Sequence, residues 1–168
     1  MARKRKGRDI SGWLVVDKPA GPTSTAVVNK VRWALEAKKA GHAGTLDPLA
    51  TGLLLVCTGK FTKTINELQG QVKEYTGTIT LGSTTPSYDL ETEVDATFPI
   101  EHISKEDILR ATEKFIGTIE QIPPVFSALK KDGKRLYEYA RDGIEVEIKK
   151  RTITISEFEI TEINMPEV

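Results

Sequence analysis

The stretch of residues 41–52 constrains this chain more than any other part of it. It contains three glycines and a proline around one carboxylate, Asp47, and leads directly into the apolar residues 53–57. Glycine and proline favour a loop, and a short apolar run after it favours a buried strand. The sequence therefore predicts a single acid on a stiff loop before a central strand. Alternatively, Asp47 caps a short helix that begins at Pro48, because Asp before Pro is common at helix starts.

Strand and helix patterns continue on both sides of this loop. Residues 12–17 predict a strand, and a helix follows that Thr23 or Ser24 can cap. We predict further helices at 60–68, from Ser104 to Gly117, and at 136–142. Strands are expected at 72–81 and 91–97 and within 144–163, and the two prolines at 123–124 favour an extended or looped segment. Strands interrupted by isolated helices predict an α+β fold with a mixed or antiparallel sheet and flanking helices.

Composition limits the class of protein. The 168 residues, 39% of them hydrophobic, suit one globular domain with a real core. Cys57 is the only cysteine, which excludes an internal disulfide and fits a reducing, cytoplasmic location. No apolar stretch approaches the length of a membrane span, and the basic N-terminus is not followed by the apolar core of a signal peptide. We therefore expect no membrane partner.

Basic residues balance acidic ones over the whole chain, 24 against 24, so only their distribution can indicate a nucleic-acid partner. Residues 1–10 form a basic arm, which we interpret either as a solvated tail or as an RNA contact. A further set of lysines and arginines surrounds the predicted first helix and is most simply a solvated face: Lys30, Arg32, Lys38 and Lys39.

Several kinds of site are excluded by spacing. The distance from Gly52 to Gly59-Lys60 is too long for a P-loop, and no Gly-x-Gly-x-x-Gly motif follows a strand. The two histidines, His42 and His102, lie sixty positions apart without a cysteine pair, so we expect no metal site.

Four motifs, in order, resemble the TruB family of tRNA pseudouridine synthases. They are Asp17-Lys18-Pro19-x-Gly21-x-Thr23-Ser24, the Asp47 loop read as Gly-x-x-Gly-x-Leu-Asp-Pro-x-Ala-Thr-Gly-Leu-Leu, Lys73-Glu74-Tyr75, and residues 123–130 with Gly133, Tyr137 and Ala140-Arg141. The resemblance implies a pseudouridine synthase-like fold and makes Asp47 the catalytic aspartate. It also implies a tRNA partner, with isomerisation of uridine at position 55 of the T-loop. That reaction adds and removes no atoms, so no cofactor is expected.

Two aromatic residues match positions that handle the flipped base in this family. Tyr75 corresponds to the tyrosine that packs on the everted uracil; the alternative is an aromatic on a strand that packs into the core. His42 corresponds to the histidine that takes part in flipping. The alternative there is a loop histidine bonded to the backbone.

The resemblance implies an RNA-binding thumb over residues 123–151. The part from Lys130 to Arg151 carries eight basic residues against five acids, and lysine and arginine suit phosphate contacts. A solvated face remains the alternative for each cation. We select these residues as candidate RNA contacts: Lys130, Lys131, Lys134, Arg135 and Arg141.

The family pattern continues beyond Val168 with an arginine that pairs with the catalytic aspartate, more of the sheet and a C-terminal RNA-binding module. We therefore expect residues 11–168 to be the N-terminal portion of a catalytic domain, incomplete at its C-terminus, poorly active alone, and monomeric in full length. Two other functions stay open: an RNA-binding or tRNA-folding module without catalysis, and a guide-RNA-dependent synthase subunit of the dyskerin type.

Overall fold

The computed structural model describes residues 7–127 and 129–168, apart from the side chains of Lys130, Lys131, Tyr137, Ala140 and Arg141. The basic residues at positions 3–6 and the predicted RNA contacts of Lys130, Lys131 and Arg141 therefore lie outside what is described. The chain divides into two compact units, Met1–Tyr75 and Thr76–Val168, and each is described by itself.

The first unit is built on a three-stranded antiparallel sheet. Its strands are β1 (Gly12–Lys18), β2 (Ala40–His42) and β3 (Gly52–Thr58), in the order β1-β3-β2. The register of β1 on β3 runs from the pair Gly12 and Thr58 to the pair Lys18 and Gly52. The apolar run after the glycine-rich loop is thus the central strand, as predicted, while the short strand β2 was not predicted.

Helix α1 (Ser24–Ala34) covers one face of this sheet. Thr23 caps it, since its side-chain oxygen accepts a hydrogen bond of 3.1 Å from the backbone N–H of Ala26. Val28 packs on Leu54 and Val56 in the centre of the core, where burial of each such side chain contributes roughly 1.5–3 kcal/mol. Side chains alternate along a strand, so the opposite face carries Val15 and Leu53, which are 70% and 68% exposed.

Cys57 lies in the sheet with no exposed surface and is a small residue of the core. Its thiol contacts the carbonyl oxygen of Gly41 at 3.5 Å, and burial raises its pKa. The helix predicted at 60–68 is in fact two short pieces, a 3₁₀ turn (Gly59–Lys63) and α2 (Ile65–Gln69). Thr64 separates them with a backbone that is not helical.

The second unit contains short antiparallel pairs. β4 (Ser83–Thr84) pairs with β5 (Ala96–Thr97), and β6 (Gly117–Gln121) pairs with β9 (Arg151–Ile155). A hairpin of β7 (Lys130–Lys131) and β8 (Lys134–Arg135) leads into α4 (Leu136–Arg141). Helix α3 (Lys105–Glu113) begins with the predicted capping box, in which Ser104 and Asp107 bond each other's backbone N–H, each at 3.1 Å.

The strand predictions of this unit were largely too long. Residues 72–80 are all exposed and form no strand. Ile79 and, just beyond this range, Leu81 form backbone hydrogen bonds with residues 166–168, and Thr80 makes an isolated bridge with Glu167. Of the segment 144–163 only Arg151–Ile155 is a strand, and of 91–97 only the last two residues are. Alternation predicts which face a strand would bury, but a strand forms only where a neighbour satisfies its backbone groups.

Within the described residues, no helix has the length and apolar character needed to cross a membrane.

Candidate active site

The loop that carries Asp47 joins β2 to β3 and spans residues 43–51. Gly44 and Gly52 have φ angles of +100° and +115°, which residues with a side chain rarely adopt, so the ends of the loop need glycine. No helix begins at Pro48. The carbonyl of Asp47 instead accepts the N–H of Ala50 at 3.1 Å in a turn, so the helix-capping interpretation of Asp47 is wrong.

Ser24 holds the residue before Asp47. Its side chain is 2% exposed, and its hydroxyl both accepts from the N–H of Leu46 and donates to the carbonyl of Leu46, each at 2.9 Å. A buried side chain thus satisfies both backbone groups of Leu46, as a neighbouring strand would. The first residue of α1 thereby fixes the loop immediately before the acid.

Lys18 holds the residue after Asp47. The side chain of this lysine at the end of β1 has no exposed surface, and its ammonium donates to the carbonyl oxygens of Pro19, Pro22 and Pro48 at 2.9, 2.9 and 3.2 Å. The carbonyl of Pro48 also accepts the N–H of Gly21 at 2.8 Å. A buried ammonium needs its full set of acceptors, so removal of any one is costly.

These two anchors leave the side chain of Asp47 exposed between them. Its carboxylate accepts no hydrogen bond and makes no ion pair within the described part of the chain. A carboxylate that has no structural partner and a fixed backbone on both sides is available as a nucleophile or a base for a bound substrate.

His42 lies at the end of β2, before the same loop, and is half-buried. Its Nδ1 donates to the carbonyl oxygen of Gly44. This bond fixes the tautomer and leaves Nε2 as the acceptor. The backbone-bonded alternative for His42 is therefore what the structure shows, and a role in base flipping would use the other ring nitrogen.

Tyr75 is 73% exposed and lies outside any strand, so the alternative of a core aromatic is wrong. Its ring makes no aromatic contact with the described residues, and it forms no hydrogen bond with His42 or Asp47 there. The structure places His42 at the end of the strand that leads into the Asp47 loop, but within the described residues it does not bring Tyr75 into bonded contact with either residue.

Two predicted RNA contacts of the thumb can be described, and both interact with residues of α4 or with the residue directly after it. Lys134 pairs with Asp142 and lies 4.8 Å from the centre of the Tyr139 ring. The bond with Asp142 raises the pKa of Lys134. Arg135 is half-buried, and its backbone N–H donates to the Glu138 carboxylate at 3.2 Å. The turn of the hairpin of β7 and β8, Asp132-Gly133, has positive φ at both residues. Such an Asp-Gly pair is the strongest short hairpin signal in a sequence, and the prediction overlooked it.

Within residues 7–127 and 129–168, no three His, Cys, Asp or Glu side chains are grouped so that they could hold a metal ion.

From the sequence, Lys18 and Ser24 were parts of a motif and Ser24 was an alternative cap of the first helix, but neither was predicted to contact the Asp47 loop. The available signal was the position of a lysine at a strand end and a serine at a helix start, both followed by an acid-bearing loop. Only the structure shows that Ser24 bonds to Leu46, 22 positions later, and that Lys18 bonds to Pro48, 30 positions later.

We expect Ser24→Ala to lower the rate of a reaction that Asp47 carries out by at least about tenfold, because small displacements of a reacting group are costly. The N–H and C=O of Leu46 would also lose their buried partner, which costs roughly 1–3 kcal/mol of stability. Single-turnover kinetics and chemical denaturation measure the two effects.

Thr23→Ala is the matched control, because it removes the helix cap one residue away without touching the loop. It should cost about 1 kcal/mol of stability and leave the rate unchanged. Equal rates for the Ser24 and Thr23 variants would contradict an anchoring role for Ser24.

Two solved structures of larger assemblies contain chains similar to this one. A crystal structure of a Cbf5–Nop10–Gar1 complex contains a chain that matches 93% of this one with a TM-score of 0.66 and 29% sequence identity. The match covers 37% of that chain. A structure of an H/ACA RNP bound to a substrate RNA containing 2′-deoxyuridine matches 73% of this chain, with a TM-score of 0.51 and 28% identity. The α+β fold of the chain is thus that of pseudouridine synthases.

The chain belongs to the TruB family, since the family described as TruB family pseudouridylate synthase (N terminal domain) matches residues 32–168. The tRNA pseudouridine synthase B of Flavobacterium johnsoniae is 60% identical over 162 residues, which cover 92% of this chain and 71% of the relative. That of Phocaeicola vulgatus is 56% identical and is covered to 68%. That of a Ruegeria species is 60% identical over 157 residues, and this chain spans 52% of its length.

Proposed function

We propose that this chain isomerises uridine to pseudouridine in tRNA, at position 55 of the T-loop, with Asp47 as the catalytic carboxylate. The names of its relatives support the reaction and the substrate. The observation that carries the role of Asp47 is its exposed carboxylate on a loop that buried Lys18 and Ser24 hold on both sides.

The chemistry suits a single acid. The bond from uracil N1 to ribose C1′ breaks, the base turns, and a new bond forms from C5 to C1′, after which C5 loses its proton and N1 takes one up. An ionised carboxylate can attack a carbon or remove a proton in this sequence, and no electrons or atoms need an outside source. Asp47 can fill either role.

The target uridine must leave the base stack to reach Asp47, because a stacked base hides its reacting atoms. We assign this step to His42, whose Nε2 is the available ring nitrogen, and to Tyr75, whose exposed ring can stack on the everted base. Thumb residues Lys134 and Arg135, with Lys130, Lys131 and Arg141, are proposed to contact RNA phosphates. For Lys134 such a contact would compete with its bond to Asp142.

The test uses an unmodified tRNA transcript that carries tritium at C5 of its uridines. Incubation with an excess of the chain over the transcript should release tritium up to an amount equal to one uridine per tRNA, at a low rate because we expect this chain to be poorly active by itself. A transcript with cytidine at position 55 should release none. Release from the cytidine transcript would overturn the assignment of position 55, and no release from either would overturn the proposed reaction.

A guide-dependent activity is the second candidate, because the chain also resembles Cbf5, which the solved structures show in multiprotein and RNP assemblies. A stand-alone enzyme needs only the chain and tRNA, whereas a guide-dependent subunit needs added RNA and proteins. Tritium release from tRNA in a two-component mixture would therefore favour the stand-alone activity. We further propose that the protein acts as a monomer in the cytoplasm and needs no metal ion.

A further inference from the structure

An unusually exposed tryptophan lies near the C-terminal end of α1. Trp33 is 73% exposed, although a tryptophan ring has the largest apolar surface of any side chain. Lys30, one turn earlier on the helix, places its ammonium 4.9 Å from the centre of the ring. The ammonium lies over the ring. Exposed aromatic rings among basic residues serve as stacking platforms for bases in proteins that bind single-stranded nucleic acid.

A cleft of about 620 Å³ opens beside this ring. Its lining includes Gly7, Asn29, Arg32 and Glu36 together with Trp33. The walls thus combine an apolar ring with hydrogen-bonding groups of both kinds. Arg32 is exposed, so it can contact a phosphate next to a bound base.

The basic arm begins at the rim of this cleft. The N–H of Arg8 donates to the carbonyl of Glu36 at 2.6 Å, and the N–H of Lys38 donates to the carbonyl of Arg8 at 3.0 Å. A Cβ on Gly7 would lie 2.6 Å from the carbonyl oxygen of Glu36, so only glycine fits at this position. Gly7 and Arg8, which we call the root of the arm, are therefore fixed against the end of α1.

Charge is concentrated on these two segments. Residues 1–10 and 29–39 carry nine basic residues against two acids, Asp9 and Glu36, although the whole chain is neutral. This excess of positive charge along the sequence attracts a polyanion, and the ring of Trp33 distinguishes a polyanion with bases from one without.

We propose that Trp33, Lys30 and Arg32, with the root of the basic arm, form a second RNA-binding surface that stacks one unpaired nucleotide of the substrate RNA. The inference rests on the proposed function, because it assigns this surface to the same RNA. Trp33 lies nine residues along α1 from Ser24, the anchor of the Asp47 loop, which corresponds to about 14 Å along the helix. One RNA molecule can span that distance.

Three substitutions of Trp33 separate stacking from apolar contact. We expect Trp33→Phe to keep the affinity for an unmodified tRNA transcript within about twofold. Trp33→Leu and Trp33→Ala should each weaken it about tenfold, because leucine is apolar but has no flat face. The Asp47→Asn background prevents turnover during filter-binding measurements. Lys30→Gln and Arg32→Gln should weaken binding and reduce its salt dependence.

Phe98→Ala is the matched control, because Phe98 is 57% exposed and has no basic residue within three positions. It should leave the affinity unchanged.

In a Trp13→Phe variant Trp33 is the only tryptophan, and its fluorescence should be quenched when the tRNA transcript binds.

Unchanged affinity in Trp33→Ala, or competition by poly-glutamate as strong as that by RNA of equal charge, would overturn this inference. Tritium release by the wild-type chain in parallel shows whether the proposed function stands by itself. Trp33-dependent binding without any release would instead overturn the proposed reaction and leave the surface supported.

Discussion

Asp47→Asn is expected to lower the rate of uridine isomerisation by at least about 10³-fold, which corresponds to about 4 kcal/mol of transition-state free energy. The amide has the shape of the acid but can neither attack carbon nor accept a proton. The carboxylate has no hydrogen-bond or ion-pair partner among the described residues, so the substitution should leave the melting temperature and the affinity for tRNA unchanged. Single-turnover tritium release measures the rate, and filter binding measures the affinity for tRNA.

Glu67→Gln supplies the comparison for this variant. Glu67 is an exposed acid of α2 in the same unit, so its neutralisation removes the same charge away from the loop. The Glu67→Gln variant should isomerise uridine at the wild-type rate. If Asp47→Asn retained tritium release at a similar level, the carboxylate would not be the reagent.

Lys18→Met is expected to lower the free energy of unfolding by about 3 kcal/mol, or roughly 6–12 °C in melting temperature for a chain of this size. Methionine fills much of the same volume, but the carbonyls of Pro19, Pro22 and Pro48 would lose a shared donor in a buried site. Since one of them belongs to the residue after Asp47, we also expect the rate to fall by about 10²-fold.

Lys63→Met tests whether any lysine would give this result. Lys63 is exposed in the 3₁₀ turn of the same unit, so its replacement should change the melting temperature by less than about 2 °C. Activity is to be measured well below the melting temperature of Lys18→Met, so that folded protein is compared. If Lys18→Met kept the stability and the rate of the wild type, the buried ammonium would not be an anchor.

Local patterns predicted the elements whose signals lie within one segment. The capping box at Ser104 and Asp107, the helix capped by Thr23 and the central strand after the glycine-rich loop are of this kind. Each depends on side chains a few residues apart, and each was found where it was predicted.

Pairing over long distances was not predictable in the same way. Residues 72–80 alternate as a strand would but remain exposed, whereas Gly117–Gln121, which drew no prediction, pairs with Arg151–Ile155. The same limit applied at the site. Asp47 could be selected from its loop and its family motif, but the contacts of Lys18 and Ser24 depend on how β1 and α1 meet that loop.

The anchoring of Leu46 and Pro48 also affects how this enzyme would respond to heating. Surface loops usually lose their order before the core does, and activity then disappears while most of the structure remains. Here the reagent-bearing segment is attached to a serine and a lysine that are themselves part of the interior. Thermal inactivation should therefore coincide with melting of the sheet, and the resting enzyme holds its carboxylate ready before any RNA arrives.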